Sequence, residues 1–408
     1  MKSNYLVGID IGSKKICTLI GQLKTHEGTE ELEIIGYGIA DSKGIRRGVI
    51  VDLNGTVEDI KRSVKEAELT AGVEVESAYV NISGSHVQSI NAKGSINITG
   101  RNREITSEDI DRAVTHGSSI MLPNDKDILH VLTQEFIVDS QEDIKNPKGM
   151  IGNNLDVYIL IVTAAKSSVK NLLMCLKKAK IDVIQPVLSH IATAEAVLTY
   201  DEKELGVALV DIGGGTTDIA VFEKGALCYA TTIGVGGYNF TNDLAIGTRT
   251  PIDKAEQIKR KYGCGLNPNW KNQNIEIPSA GGERKRMISV SLLSDILKPR
   301  AEEIFEMVKN KIETEGLEDK INAGIVLTGG SAVLDGLIEV ADEIFSAPIR
   351  VGRPEGVGGL IDKVKTPDFA TAVGLIKYGS LDLREERKNQ PKGLLKSGLQ
   401  RVKDYFGF

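Results

Sequence analysis

Leu6-Val-Gly-Ile-Asp10-Ile-Gly12-Ser13 and Ala208-Leu-Val-Asp211-Ile-Gly213-Gly214-Gly215-Thr216-Thr217-Asp218, about two hundred residues apart, carry one pattern twice. Each is an apolar, β-branched run entering an Asp-x-Gly turn. A second apolar run follows, at 16–20 after the first turn and at 219–222 after the second. Each therefore reads as a β-hairpin with an acidic, glycine-bearing tip. Glycines let the backbone approach a ligand and aim amide N–H groups at anionic oxygens, and the hydroxyls of Ser13, Thr216 and Thr217 add donors. Asp10 and Asp211 would repel a bare phosphate, so the pattern implies an intervening hard cation, Mg²⁺ held through waters. A lone tip of this kind is a common tight turn; two of them suggest a cleft in which the tips face each other. A third segment, Gly324-Ile-Val-Leu-Thr-Gly329-Gly330-Ser331, is an apolar strand ending in paired glycines before a helix expected at 333–345. Neither the P-loop spacing nor a Gly-x-Gly-x-x-Gly opening a helix after a strand is present, so a nucleotide would be held in another way.

The 408 residues imply two to four folding units. Charged residues at 26%, hydrophobic residues at 41% and a net charge of -6 are ordinary soluble values and argue against broad nucleic-acid binding. Cys17, Cys175, Cys228 and Cys264 lie far apart without a CxxC pattern, which favours reduced thiols and a cytosolic setting. The five histidines show no metal-ligand spacing and no adjacent nucleophile. No apolar signal core opens the chain, and the longest apolar runs are about half of the roughly twenty residues a membrane span needs.

Strand and helix patterns alternate along the chain. A strand at 32–39 precedes a helix at 56–71 for which Asn54 is the expected N-cap, with Val57, Ile60, Val64, Ala67 and Ala71 at helical spacing. A strand at 75–82 leads into short polar-apolar strands and a helix at 107–116, read as an inserted module. The main fold is expected to resume with a strand at 157–165, then helix 167–179, strand 181–186 and helix 190–198. The expected organisation is a first lobe at 1–83 and 161–198, the inserted module at 84–160, and a second-lobe core at 199–225 and 306–360. A small subdomain at 226–305, a first-lobe helix at 361–383, a linker at 384–393 and an amphipathic helix at 394–408 complete it.

Asp10-Ile-Gly12-Ser13, Asp211-Ile-Gly213-Gly214-Gly215-Thr216, Gly236-Gly237, Glu256-x-x-Lys259 and Gly329-Gly330-Ser331 stand in the order of the nucleotide-site segments of the actin and heat-shock ATPase superfamily, which the chain resembles end to end. The resemblance implies an α/β, actin-like fold: two α/β lobes around a nucleotide cleft. It also implies that the tips, with Lys15, grip the phosphates of ATP, that Asp10 and Asp211 hold Mg²⁺ through water, that Gly329 and Gly330 pass beneath the adenosine, and that Glu256 and Lys259 reach the sugar. Without that resemblance, Glu256 and Lys259 read as a salt-bridged helix face.

Within the superfamily the chain resembles the FtsA family of bacterial cell-division proteins. Ser83-Gly-Ser-His86-Val-Gln-Ser89 looks like the entry to the subdomain called 1C, and 204–221 is similar to the family's second phosphate segment throughout. The third feature is the tail. Leu394, Leu395, Leu399, Val402, Tyr405 and Phe406 share one helical arc, and Lys396, Arg401 and Lys403 lie on the other. After a charged, Pro-broken stretch, such a segment suits either a membrane interface or docking on the body. Burial at ~1.5–3 kcal/mol per apolar side chain and ~1 kcal/mol per basic residue near anionic lipid is opposed by about 1–2 kcal/mol of ordering per residue. One tail binds weakly; many tails in one polymer bind strongly.

What the resemblance implies is an ATP-binding protein that polymerises on the cytoplasmic membrane face at the division septum and tethers the tubulin-like FtsZ. The FtsZ C-terminal peptide would bind the small subdomain, where Arg284, Lys285, Arg286 and Arg300 offer contacts to an acidic peptide, and later division proteins would bind the inserted module. Turnover is expected to be slow or absent, because the Glu-Pro pair of chaperone and rod-shape relatives is missing from the helix before the second hairpin; Glu195 there reads either as a water-positioning residue or as helix surface. A pilus-assembly adaptor of the PilM kind and a small-molecule kinase of the same fold are the alternatives. A chaperone fits poorly, because too little chain follows the ATPase to make a substrate domain.

Overall fold

The computed structural model describes residues 5–26, 29–100, 102–264, 273–279 and 285–388. The expected membrane helix at 394–408, with Leu394, Leu395, Lys396, Leu399, Arg401, Val402, Lys403, Tyr405 and Phe406, lies outside the described residues, as does Arg284.

Both Asp-x-Gly hairpins form. Tyr5–Ile11 pairs antiparallel with Lys15–His26, and Val207–Ile212 pairs antiparallel with Thr217–Glu223. The first hairpin sits in a six-stranded sheet whose order is Asp182–Leu188, Ser77–Ile82, Tyr5–Ile11, Lys15–His26, Thr29–Asp41 and Gly358–Gly359. Helices Leu53–Ala71, Lys166–Lys178, Ser189–Val197 and Ala370–Lys388 cover it and contribute to one hydrophobic core. The second hairpin lies in a nine-stranded sheet that starts Ile349–Val351, Ile325–Thr328, Val207–Ile212, Thr217–Glu223, Ala226–Ile233. Its core also takes in helices Gly237–Thr248, Ile252–Tyr262, Val290–Thr314 and Leu337–Ile344.

That second sheet continues into the inserted module through Gln88–Asn97, Asn154–Ala165, Lys126–Val138 and Gln141–Ile144. The junction is a single pairing, Thr231 with Gln88. The run expected to restart the main fold at 157–165 is therefore the central strand of the module, paired on both edges. Its unbroken hydrophobicity has a physical cause. Leu155, Val157, Ile159 and Ile161 enter the module's own core, whereas Leu160, Val162 and Ala164 enter the first-lobe core. With both faces buried, no alternation survives to mark it.

Other boundaries shift for local reasons. The helix expected from residue 56 begins at Leu53, because Asp52, not Asn54, is its N-cap: Asp52 has extended backbone and its carboxylate accepts from the Gly55 N–H at 3.1 Å. The helix expected at 333–345 is Leu337–Ile344, entered through Gly336 in the left-handed region. The cut placed at 305 falls inside helix Val290–Thr314. Helix Ala370–Lys388 runs into the stretch expected to be linker, and the Arg384 guanidinium donates to the Glu30 carbonyl at 3.1 Å.

Gly374 shows what joins the first lobe together. A Cβ there would stand 1.7 Å from the Ala192 carbonyl oxygen, so helices Ala370–Lys388 and Ser189–Val197 touch backbone to backbone. Gly374→Ala is expected to lower stability by about 2–3 kcal/mol, read as a reduced urea midpoint.

Candidate functional site

A cavity of about 1010 Å³ opens between the lobes, and both hairpin tips line it. The tips meet at close quarters. A Cβ on Gly214 would come 2.6 Å from the Lys14 Cβ, and one on Gly215 would come 2.9 Å from the Ser13 Cβ and Oγ. Glycine is required there because the opposite lobe occupies the space a side chain would need. Each turn is closed by its own bond, Gly12 N–H to the Lys15 carbonyl at 3.0 Å and Gly213 N–H to the Thr216 carbonyl at 2.9 Å.

Helix Gly237–Thr248 starts against the second tip. Its Gly237 and Tyr238 N–H groups donate to the Gly213 and Gly214 carbonyls at 2.9 and 2.7 Å. A Cβ on Gly236 would lie 2.8 Å from the Gly213 oxygen and the Thr216 nitrogen.

Asp10 and Asp211 are half-buried residues of this cleft, and neither makes an ion pair among the described residues. Burial, partly offset by Lys15, pushes the Asp10 carboxyl up to about 6. Burial, with repulsion from Asp218 and Asp10, pushes Asp211 up to about 7. Asn81 orients Asp10, donating from Nδ2 at 2.7 Å while its Oδ1 accepts the Ile11 N–H at 2.7 Å. Thr193 donates to Asp211 at 3.2 Å and Thr371 at 3.4 Å. Asp218 accepts from Ser83 at 2.8 Å and Thr232 at 2.7 Å, joining the second tip's strand to the module entry. Lys15 pairs with Asp368 at 2.5 Å and stacks over Phe369 at 3.7 Å.

The far wall is built on helix Ile252–Tyr262. Burial alone would raise Glu256, but the Lys259 ammonium at 2.7 Å and hydrogen bonds from Lys259, Thr241 and Arg260 outweigh it and hold the carboxyl at about 2. The Lys259 ammonium is itself buried and donates to the Gly237 carbonyl and Thr241 hydroxyl, both at 2.9 Å. Gly329, Gly330 and Ser331 line the cavity beside it. Gly329 has φ +86, and the Ser331 N–H donates to the Ile212 carbonyl at 3.0 Å.

Asp10, Gly12, Ser13, Lys15, Asp211, Gly213, Gly214, Gly215, Thr216, Gly237, Glu256, Lys259, Gly329, Gly330 and Ser331 thus share one cavity. Two expected residues do not line it. The Thr217 hydroxyl donates to the Val235 carbonyl at 2.9 Å, and Gly236 packs beneath the second tip. Glu195, the candidate for positioning water, is also outside the lining; it is paired with Lys203 at 2.6 Å. Thr193, two residues earlier and so on the opposite face, is the residue of that helix that reaches Asp211. Among the described residues no group of three or more His, Cys, Asp and Glu side chains is placed to ligate a metal.

Asn81, Ser83, Thr193, Asp368 and Thr371 were not singled out from sequence as site residues. Ser83 was read only as the start of the 1C-like entry, the other four have no motif of their own, and all five are brought to the cleft or its carboxylates by the fold. The basic cluster expected on the small subdomain is largely neutralised: Lys285 pairs with Glu276 at 2.8 Å, and Arg300 with Asp243 at 2.6 Å and with Glu303. Arg286 differs, its Nε and Nη2 being buried without a hydrogen-bond partner.

Known proteins share this arrangement. The model of the family "Cell division protein FtsA" matches residues 208–374, and that of the SHS2 domain inserted in FtsA matches 84–163. The cell division protein FtsA of Pseudomonas aeruginosa is 41% identical over 375 residues, 92% of this chain and 89% of that protein. That of Escherichia coli is 35% identical over 382 residues, 92% and 90% of the two chains. Among solved structures, a chain of the PilM-PilN type IV pilus biogenesis complex superposes with TM-score 0.65 at 16% identity, over 92% of this chain and 98% of that one. MreB5 of Spiroplasma citri bound to ADP superposes with TM-score 0.56 at 14% identity, over 95% and 100%. The fold is that of an actin-like ATPase carrying an inserted module. The chain belongs to the FtsA family of cell division proteins.

Proposed function

We propose that the cleft binds ATP with Mg²⁺ and that the protein is a membrane-attached, self-assembling adaptor of cell division. The observation that carries the nucleotide reading is the meeting of two glycine tips beside Asp10 and Asp211, carboxylates raised chiefly by burial and, at Asp10, only partly offset by Lys15. These residues fit a hydrated Mg²⁺, which when bound would supply positive charge to the phosphates. Asn81 and Thr193 hold the two carboxylates in place, the glycine tips admit the phosphate chain, and Glu256 and Lys259 present polar groups to the sugar. Glu195, paired with Lys203 outside the lining, is not assigned to position water.

The tail residues Leu394, Leu399, Val402 and Phe406, with Lys396, Arg401 and Lys403, support a peripheral attachment to the cytoplasmic face of anionic membrane at the division site. Among the described residues no helix is long and apolar enough to cross a membrane. The acidic C-terminal peptide of FtsZ is the proposed partner of the small subdomain, with Arg286 the one described residue of the expected basic cluster whose buried guanidinium nitrogens lack a hydrogen-bond partner. Membrane proteins that join the septum later are the proposed partners of the inserted module.

Vesicle flotation tests the attachment. The intact chain is expected to float with anionic vesicles in the presence of Mg²⁺ and ATP, and a chain ending at Pro391 is expected to lose at least about tenfold in bound fraction, given the avidity of linked tails. Equal flotation of both chains would refute a tail anchor.

A further inference from the structure

We propose that Arg47 reads the terminal phosphate of the bound nucleotide and thereby distinguishes a nucleoside triphosphate from a diphosphate. The assignment rests on the reading of the cleft as an ATP site.

Strands Ile45–Arg46 and Val49–Ile50 form a small hairpin of the first lobe that turns through Arg47 and Gly48 in the cavity wall. Arg47 has φ +50 and Gly48 φ +74, so an arginine occupies backbone space that suits glycine or asparagine. Contacts from three directions hold it there. The Gly48 N–H donates to the Ser13 Oγ of the first tip at 2.9 Å. A Cβ on Gly215, in the second tip, would lie 3.1 Å from the Arg47 nitrogen, and one on Gly234 would lie 3.6 Å from the Arg47 Cδ. A Cβ on Gly48 would lie 2.7 Å from the Gly84 Cα at the module entry. The turn is wedged where both phosphate tips meet.

The charge at this point is uncommitted. Lys15 is paired with Asp368, and Lys259 and Arg260 with Glu256, whereas the Arg47 guanidinium makes no ion pair or hydrogen bond with any described residue. Glu256 and Lys259 of the second lobe, both tips and the Arg47 turn line the same cavity. A phosphate held between the tips meets this turn, since the Gly48 N–H is bonded to Ser13 of one tip and the Arg47 nitrogen abuts Gly215 of the other, and the terminal phosphate, farthest from the sugar, is the one assigned to it. A guanidinium presents two parallel donors to phosphate oxygens, and a diphosphate leaves that position without a partner. Lys14 on the first tip, and Lys43 and Arg46 beside the turn, also line the cavity and are the competing cations.

Calorimetric titration of the full chain with Mg²⁺ plus ATP or ADP decides it. Arg47→Gln is expected to weaken ATP about 10- to 100-fold while ADP stays within about threefold, as loss of a charge-assisted hydrogen bond implies, with Arg47→Lys recovering part of the difference. Arg47→Gly, which suits the left-handed backbone, should give the same selective loss from a turn that carries no strain. Equal effects on ATP and ADP, no effect on either, or a selective loss caused by Lys14→Gln but not by Arg47→Gln would overturn the assignment while leaving nucleotide binding in place. Uptake of neither nucleotide by the parent chain would overturn both.

Discussion

Asp211→Asn is expected to stabilise the nucleotide-free protein at pH 8 and, in the same molecule, to remove most of the stabilisation that Mg²⁺ and ATP confer. The Asp211 carboxyl is raised to about 7 and that of Asp10 to about 6, from an ordinary value of 3.8. Between pH 4 and 7 the folded state therefore holds protons that the unfolded state has released, so stability falls as pH rises through that window. The full penalty is present above pH 7. An uncharged Asn avoids it, can still accept from Thr193 and Thr371, and should gain on the order of 3 kcal/mol at pH 8 and little at pH 4. A bound divalent cation offsets the same penalty in the parent, which is why ligand and substitution should not add. Denaturant midpoints at pH 4 and pH 8, with and without Mg²⁺ and ATP, measure all four terms. A variant that is no more stable at pH 8 than its parent, or that keeps the full ligand-induced shift, would contradict the role given to this carboxylate.

The second large effect is at Gly329. Its backbone has φ +86, and a Cβ would lie 2.2 Å from the Asp211 Oδ1 and 2.7 Å from the Ile212 carbonyl oxygen. An alanine there must displace the carboxylate or the strand that bears it. Gly329→Ala is expected to lose about 2–4 kcal/mol of stability and at least about 100-fold in ATP affinity. Gly330 provides the contrast, since a Cβ on it meets nothing nearer than the Asp368 Cβ at 3.5 Å, an ordinary contact. Gly330→Ala should leave the denaturant midpoint unchanged within about 0.5 kcal/mol. Calorimetric titration with ATP and urea denaturation of both variants check the pair; equal behaviour of the two would show that the Gly329 geometry has been misassigned.

Much of the cleft was legible because its signals are local. An Asp-x-Gly turn between two apolar strands needs only neighbours in sequence, and both hairpins form in the register that this pattern requires. Helix Ile252–Tyr262 brings Glu256 and Lys259 to the cavity together; their spacing alone read as a salt-bridged helix face, and only the superfamily resemblance singled them out. The errors have the opposite character. The strand Asn154–Ala165 was misassigned because its two faces enter different cores, which erases the period that would mark its place. Glu195, read either as a water-positioning residue or as helix surface, pairs with Lys203, while Thr193 on the opposite face reaches Asp211; which face of that helix turns inward depends on packing.

The chain's own sequence thus determined two acidic glycine tips, the alternation of strands and helices around them, the insertion within the first lobe and the amphipathic spacing at 394–408. Tertiary structure alone decided what each tip touches. Asn81 reaches Asp10 across 71 positions, and Lys15 reaches Asp368 across 353. It also decided why glycine stands at 214 and 215, since the obstruction comes from Lys14 and Ser13 of the other lobe. Periodicity reports that a residue is buried, through forces that act along a few turns of chain. What it is buried against is a property of contacts between segments whose separation in sequence carries no such signal.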